Sequence, residues 1–320
     1  MDHTNMTQAR WFVFSGLTDD PKLALPLFAF FLQIYIMTVA GNVGIIVIIS
    51  KTSSLHTPMY YFLRYLSLVD IFYSSAVTPK MIADLISVKK VITIHGCALQ
   101  FFIFATLAGA EVLLLSIMSY DRYTAICHPL HYMSIMTKKK CFHLVIIAFS
   151  LGLLPSTAHT SCVFSLQFCA SNLIDHFCCD IPPLLKLSCS DTFTCDMVTM
   201  FLIGSYSAVS LTIILVSYIF ILLSILRIRL VKSRQKAFST CSSHLICSSL
   251  FYIPVFLTYV HPPSDIFGKL DKVFSIFYSV ITPMLNPLIY TLRNQEVKKV
   301  IVRVVYSFNN VKRRQLVMKN

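Results

Sequence analysis

An all-α integral membrane protein, a bundle of seven crossing helices, is the fold class this sequence predicts. Three observations predict it. Of 320 residues only 13% are charged and 56% are hydrophobic, whereas soluble domains carry about 25% charged residues. The apolar residues arrive in long blocks: Lys22 and Lys51 enclose 28 uncharged residues, Lys140 and Asp175 enclose 34, and Asp196 and Arg227 enclose 30. A membrane-crossing helix needs about 20. Finally, the net charge of +13 is concentrated in alternate loops rather than spread over a surface. Soluble enzyme folds, disordered chains and collagen-like repeats are excluded on these grounds, and so is nucleic acid as the partner of the basic excess.

Seven spans follow in order. Span 1 (about 24–49) fills the first uncharged block and contains Asn42. Span 2 (about 58–79) carries Asp70. Span 3 (about 98–120) carries Glu111 and ends on Asp121-Arg122-Tyr123. Spans 4 (about 141–161) and 5 (about 197–226) fill the two longest blocks. Span 6 (about 237–260) and span 7 (about 273–292), with Asn286, complete the bundle of residues 24–292. Beyond it, Val297, Val300, Ile301, Val304 and Phe308 share a face opposite Lys298, Lys299 and Arg303. That pattern predicts a short amphipathic helix on the inner leaflet at the start of the 293–320 tail.

Seven spans put the termini on opposite sides. The loops at Lys51, Arg122 to Lys140 and Arg227 to Lys236, together with the tail from Arg293, hold 18 Lys/Arg against Asp121 and Glu296. The opposite set holds 8 Lys/Arg and 10 Asp/Glu. Positive residues stay on the cytoplasmic side, so residues 1–23 are expected outside and the tail inside. The basic excess then serves topology and attraction to anionic membrane lipid. Met1–Asp19 has neither a basic start nor an apolar centre, so span 1 is expected to act as its own insertion signal. Asn5-Met6-Thr7 is a glycosylation acceptor on the external side. Seven of eleven cysteines (Cys97, Cys162, Cys169, Cys178, Cys179, Cys189, Cys195) sit on or beside outer loops, the oxidising side. Cys97, at the top of span 3, is placed to staple the long 162–196 loop, which is then a lid rather than a connector.

Ionisable groups inside spans default to functional hypotheses. Asp70, Glu111, Asn42 and Asn286 lie at comparable depth and are expected to form one buried polar network. Above Glu111, spans 3, 5, 6 and 7 carry no charge; the expected lining there is Phe104, Ala105, Ala108, Leu202, Tyr206, Tyr252, Val255, Phe256, Tyr259 and Ser279. Phe104, Ala108 and Glu111 recur at helical spacing and share a face. An apolar and aromatic pocket with a few hydroxyls suits a small neutral ligand. A pump would need a chain of acids or histidines through the outer half, where only His159 stands. No metal-ligand spacing such as His-Glu-x-x-His occurs. His176-Phe177-Cys178-Cys179-Asp180 gathers ligand-type residues, but disulfides compete for its cysteines; no metal or cofactor is expected.

Ordered motifs make the chain resemble an odorant (olfactory) receptor of the tetrapod type, within the rhodopsin-like G-protein-coupled receptors. These are Gly41-Asn42, Leu55-His56-Thr57-Pro58-Met59-Tyr60, Met118-Ser119-Tyr120-Asp121-Arg122-Tyr123-Thr124-Ala125-Ile126-Cys127, His128-Pro129-Leu130-His131-Tyr132 and Ser217-Tyr218. Lys236-Ala237-Phe238-Ser239-Thr240-Cys241-Ser242-Ser243-His244-Leu245 and Pro283-Met284-Leu285-Asn286-Pro287-Leu288-Ile289-Tyr290 complete the series. Departures from the usual pattern are Ser119, Thr124, Cys178 and Ile253-Pro254. The resemblance implies a ligand-gated activator of a stimulatory, olfactory-type G protein that raises cyclic AMP and performs no covalent chemistry. Arg122 and Tyr123 would sit at the G-protein face, with Asp121 restraining Arg122 at rest and Tyr218 and Tyr290 meeting it on activation. The expected disulfides are Cys97–Cys179, with Cys97–Cys189 as the rival, and Cys169–Cys189. Two other classes are a non-olfactory rhodopsin-like receptor for a lipid or amine, and a transporter. An amine receptor would want a carboxylate where Phe104 stands, and a transporter a continuous polar path.

Overall fold

The computed structural model describes residues 10–169, 171–227, 231–259, 265–293 and Val297. Asn5 and the tail helix, apart from Val297, lie outside the described residues. Seven long helices pack side by side. Span 1 runs Pro21–Lys51, span 2 Pro58–Ile86, span 3 Ile94–Cys127, span 4 Lys138–Phe164, span 5 Phe193–Arg227 and span 6 Val231–Tyr259. Span 7 is Asp265–Ile276 and Thr282–Arg293 joined by a π-helical turn at Phe277–Ile281. Short helices occupy Tyr132–Ile135 and Ile181–Leu185, and a 3₁₀ turn Ser53–Leu55.

The helices begin before their apolar blocks because caps and first turns are polar. Asp20 accepts from Lys22 N–H at 2.9 Å with Pro21 in the first turn; Thr93 accepts from Gly96 N–H at 3.1 Å and Thr137 from Lys140 N–H at 3.3 Å. Each satisfies a backbone donor that the helix itself leaves unpaired. The sequence pattern ends span 2 at Pro79; the helix runs on to Ile86. An interior proline deletes one hydrogen bond without stopping a helix that neighbours enclose. Six helices are long and apolar enough to cross a membrane. The seventh, span 2, carries Arg64, Asp70, Lys80 and Asp84 and buries more than half its residues. Lys80 pairs with Asp84 one turn away.

Span 3 is the axis, packed against spans 2, 4, 5 and 6. It meets span 4 backbone to backbone: a Cβ on Gly109 would fall 2.9 Å from Gly152 Cα, and one on Gly152 would fall 2.6 Å from Thr106 O. Small residues permit this close helix approach.

Over the outer end lies a sheet that the span pattern did not predict. Strand β1 (Trp11–Phe14) is central, antiparallel to β2 (Val91–Thr93) and parallel to β3 (Leu173–Ile174). Phe12 faces Ile92 and Phe14 faces Ile174 across the register. Phe12 and Phe14 are buried while Trp11 is exposed, the alternation a one-sided sheet requires. The inward rings join Phe101, Val163, Phe168, Ile181 and Leu184 in a cluster roofing the bundle. Gly16 turns the chain away from β1 at φ +72°, a conformation that favours glycine.

Candidate functional site

A cavity of about 110 Å³ opens between spans 3, 4, 5 and 6 beneath this roof. Seven of the ten expected residues border it: Phe104, Ala105, Ala108, Leu202, Tyr206, Val255 and Tyr259. Three do not. Phe256 turns outward and is 56% exposed, because it lies one residue from Val255 and about 100° round the helix. Tyr252 lies in a floor of hydrogen bonds, linked to Ser210 and to Val112 O (3.3 Å), with Ser210 also linked to Ser116. Ser279 is buried and donates to Ser275 O at 2.5 Å.

The wall absent from the expected set is span 4, with Gly152, Pro155, Ser156 and His159. Its signal was in the sequence: positions 152, 155, 156 and 159 follow i, i+3, i+4, i+7 spacing and share one helix face. Tyr73 and Tyr278 also border the cavity. Phe104 stacks on Tyr73 at 4.8 Å and 10°, so its ring is fixed from behind.

The roof is the long loop, held by three disulfides. Cys97 bonds Cys179 and Cys169 bonds Cys189. A third bond, Cys162–Cys195, joins the ends of spans 4 and 5; no pairing of those cysteines was expected. Cys178 is a buried free thiol whose Sγ lies 3.3 Å from His176 Nδ1. Ile181 borders the cavity, and beside it Asp180 brings a carboxyl close to a cavity whose lining residues carry none. Asp180 is buried and accepts from Tyr259 Oη (2.6 Å), Tyr278 Oη (2.9 Å) and Ile181 N–H (2.8 Å). Burial pushes its carboxyl above the ordinary range, and the three donors pull against that. His176, also buried, is pushed down to about 3, first by burial and then by the nearby Lys272 charge. Its Nε2 lies 3.2 Å from Ser275 Oγ.

In mid-bundle, of the four residues expected to form one network, the hydrogen bonds among the described residues join two to each other, Asp70 and Asn286. Asn286 donates to both oxygens of Asp70 (3.1 and 3.2 Å), and Asn42 donates to Thr38 O and Pro283 O (3.0 Å each). Span 7 is thus tied to spans 1 and 2. Glu111 is fully buried with neither oxygen hydrogen-bonded.

At the basic end, Asp121 accepts from Tyr132 Oη at 2.8 Å and makes no ion pair with Arg122 among the described residues. The partner of Asp121 is thus the Tyr132–Ile135 helix rather than Arg122. Arg122 is buried with Nε unpaired. Tyr123 Oη lies 3.1 Å from His128 Nε2. Tyr218 reaches His244 Nδ1 at 2.9 Å, and Tyr290 is buried with its hydroxyl unpaired. Tyr218 is thereby joined to span 6 through His244, a residue outside the expected set.

A family model described as olfactory receptor matches residues 31–307. The chain belongs to the olfactory receptor family. Among its relatives, human olfactory receptor 5B12 is 48% identical over 301 residues, 94% of this chain and 96% of that protein. Mouse olfactory receptor 5AR1 is 48% identical over 305 residues, 95% and 98% of the two chains. This olfactory receptor is therefore a multi-pass plasma membrane protein and a signalling receptor rather than an enzyme.

Proposed function

We propose that this receptor binds a small, neutral, largely apolar odorant in the cavity under the tethered loop, and that binding activates a stimulatory, olfactory-type G protein to raise cyclic AMP. The observation that carries this reading is the continuity of span 3. Ala105 borders the cavity, and Arg122 stands on the same helix, about 25 Å further along at 1.5 Å per residue.

Span 6 is the element through which a ligand acts. Val255 and Tyr259 meet the cavity, Tyr252 is bound into its floor, and His244 of the same helix faces Tyr218. An agonist shifts the receptor between states only by its differential affinity for them, and these contacts are where the difference arises. With few polar anchors, micromolar affinity, about −8 kcal/mol, is expected. Asn42, Asp70, Glu111 and Asn286 form the joint about which span 7 is set. Asp121, Arg122, Tyr123, Tyr218 and Tyr290 make the coupling face, and the basic loops hold it against anionic lipid.

The test is a cyclic-AMP reporter screen of neutral volatiles on cells expressing the receptor, repeated with Arg122→Ala. That variant is expected to lose at least about 90% of the agonist response, roughly 1.4 kcal/mol or more of coupling, with surface expression largely intact. Full signalling by Arg122→Ala removes Arg122 from the mechanism.

A further inference from the structure

The cavity wall contains seven side chains with a hydrogen-bonding atom, and most are already engaged. Ser156 lies 2.6 Å from Thr106 Oγ1 and donates to Leu153 O at 2.8 Å. Tyr206 donates to Leu151 O across to span 4. Tyr259 and Tyr278 both donate to Asp180. Ser207 is only half-buried. Two of the residues bordering the cavity carry a buried polar atom without a partner: Tyr73 Oη and His159 Nε2. Tyr73 is 0% exposed and lies flat under Phe104. His159 is 94% buried (6% exposed), on the span 4 face that forms the wall. A buried imidazole nitrogen without a partner is costly unless something occupies its lone pair or accepts its proton.

We propose that His159 is the polar anchor of this cavity, and that its ligands are neutral molecules bearing one hydrogen-bonding oxygen on an apolar skeleton. This rests on the cavity being the odorant site. Either imidazole tautomer offers Nε2 as donor or acceptor, so a ketone, aldehyde or alcohol satisfies it. A hydrocarbon of the same outline fills the same apolar walls and leaves Nε2 unpaired. Sites built around a hydrogen bond reject analogues that lack it more sharply than apolar walls reject a change of size. His159 is then the residue that separates oxygenated odorants from alkenes of equal shape, and the tyrosine hydroxyls around it hold the protein together instead.

The experiment is a cyclic-AMP dose–response series with matched probes: 2-ketones, aldehydes and primary alcohols of about four to six carbons, because the cavity is somewhat smaller than the roughly 150 Å³ that holds benzene, each against the alkene of the same outline. On the unmodified receptor the oxygenated member is expected to be more potent by about tenfold or more. His159→Leu is expected to erase that difference, and His159→Gln, which keeps a donor and an acceptor, to retain most of it. Ala108→Phe, which fills the cavity, is expected to abolish responses to every probe.

A potency gap unchanged in His159→Leu overturns the proposal, as does an unmodified receptor that responds equally to both members or to no oxygenated probe. Ala108→Phe with full responses overturns the cavity reading instead. Should His159→Leu not reach the surface, imidazole ¹⁵N NMR of the unmodified receptor decides. The His159 signal is expected to move with the oxygenated probe and not with the alkene, and no movement with either overturns the proposal.

Discussion

Tyr259 borders the cavity, yet its hydroxyl donates to Asp180 in the roof at 2.6 Å. A hydroxyl already committed to a buried carboxyl has no second proton for a ligand. Tyr259→Phe is therefore expected to loosen the roof and shift potency by up to about tenfold, the size of a single net hydrogen bond. The shift should be similar for ligands with and without an oxygen, and dose–response curves on matched pairs read it directly. A loss confined to oxygenated ligands would return the hydroxyl to the ligand. Gly152 acts through its missing side chain. A Cβ there would meet Thr106 O at 2.6 Å and Ala110 N at 2.9 Å, both backbone atoms that cannot step aside as a side chain would. Gly152→Ala is expected to force spans 3 and 4 apart at a cost of about 1–3 kcal/mol, seen as a lower thermal midpoint of the purified receptor. An unchanged midpoint would show that the two helices are not in backbone contact.

The roof is the element with a pH response. Burial holds His176 neutral, down to about 3 from an ordinary 6.5, so the ordered loop takes up no proton there while the opened loop does. Where the open state binds more protons, stability rises with pH. The contribution of His176 is thus full above about 6.5 and is lost as pH falls toward 3, by at most about 1.4 kcal/mol per pH unit. Asp175, held below the usual carboxylate range by Lys272 (2.7 Å) and Ser15 (2.8 Å), loosens in the same direction at lower pH. Asp180 works the other way, since its raised carboxyl gains a proton more readily when buried. The His176 share is isolated by His176→Gln. Corrected for the intrinsic pH dependence of exchange, the amide protection of loop residues 171–190 is expected to fall between about pH 7 and 5.5 in the parent and to change much less in the variant. An equal fall in both would assign the response to other groups. The three disulfides bound how far the roof opens, each closing 20 to 82 residues of chain and stabilising by roughly 3–5 kcal/mol in the chain-entropy model.

At the scale of the whole molecule no charged side chain lines the cavity among the described residues, and the carboxyl beside it, Asp180, has its oxygens occupied by three donors. A charged ligand would surrender its hydration without a counter-charge, a penalty of several kcal/mol against total binding near −8. Matched neutral and quaternary ammonium or sulfonate analogues on the unmodified receptor are expected to differ by at least about a hundredfold in potency. Equal potency would show that the cavity carries a charge partner.

Much of this was legible in residue order because the membrane leaves few choices. Backbone polar groups in hydrocarbon must be satisfied within the segment, so apolar block length gave helices. Asp70, Glu111 and Asn286 stood out in the sequence because polar groups there are costly enough to need a reason; which of them bond to each other was not legible there. The roof sheet was not legible: β1, β2 and β3 are four, three and two residues long and come from three distant stretches of chain, so no local period announces their pairing. Span 4 was passed over because Gly152, Ser156 and His159 look like ordinary packing until span 3 is laid against them. Composition and order determined the helices and their count, because those follow from each segment meeting the membrane alone. Which hydroxyls were spent on Asp180 and Ser210, and which nitrogen was left unpaired in the cavity wall, only the tertiary structure decided, because a hydrogen bond is made between segments and its donor cannot be shared out in advance.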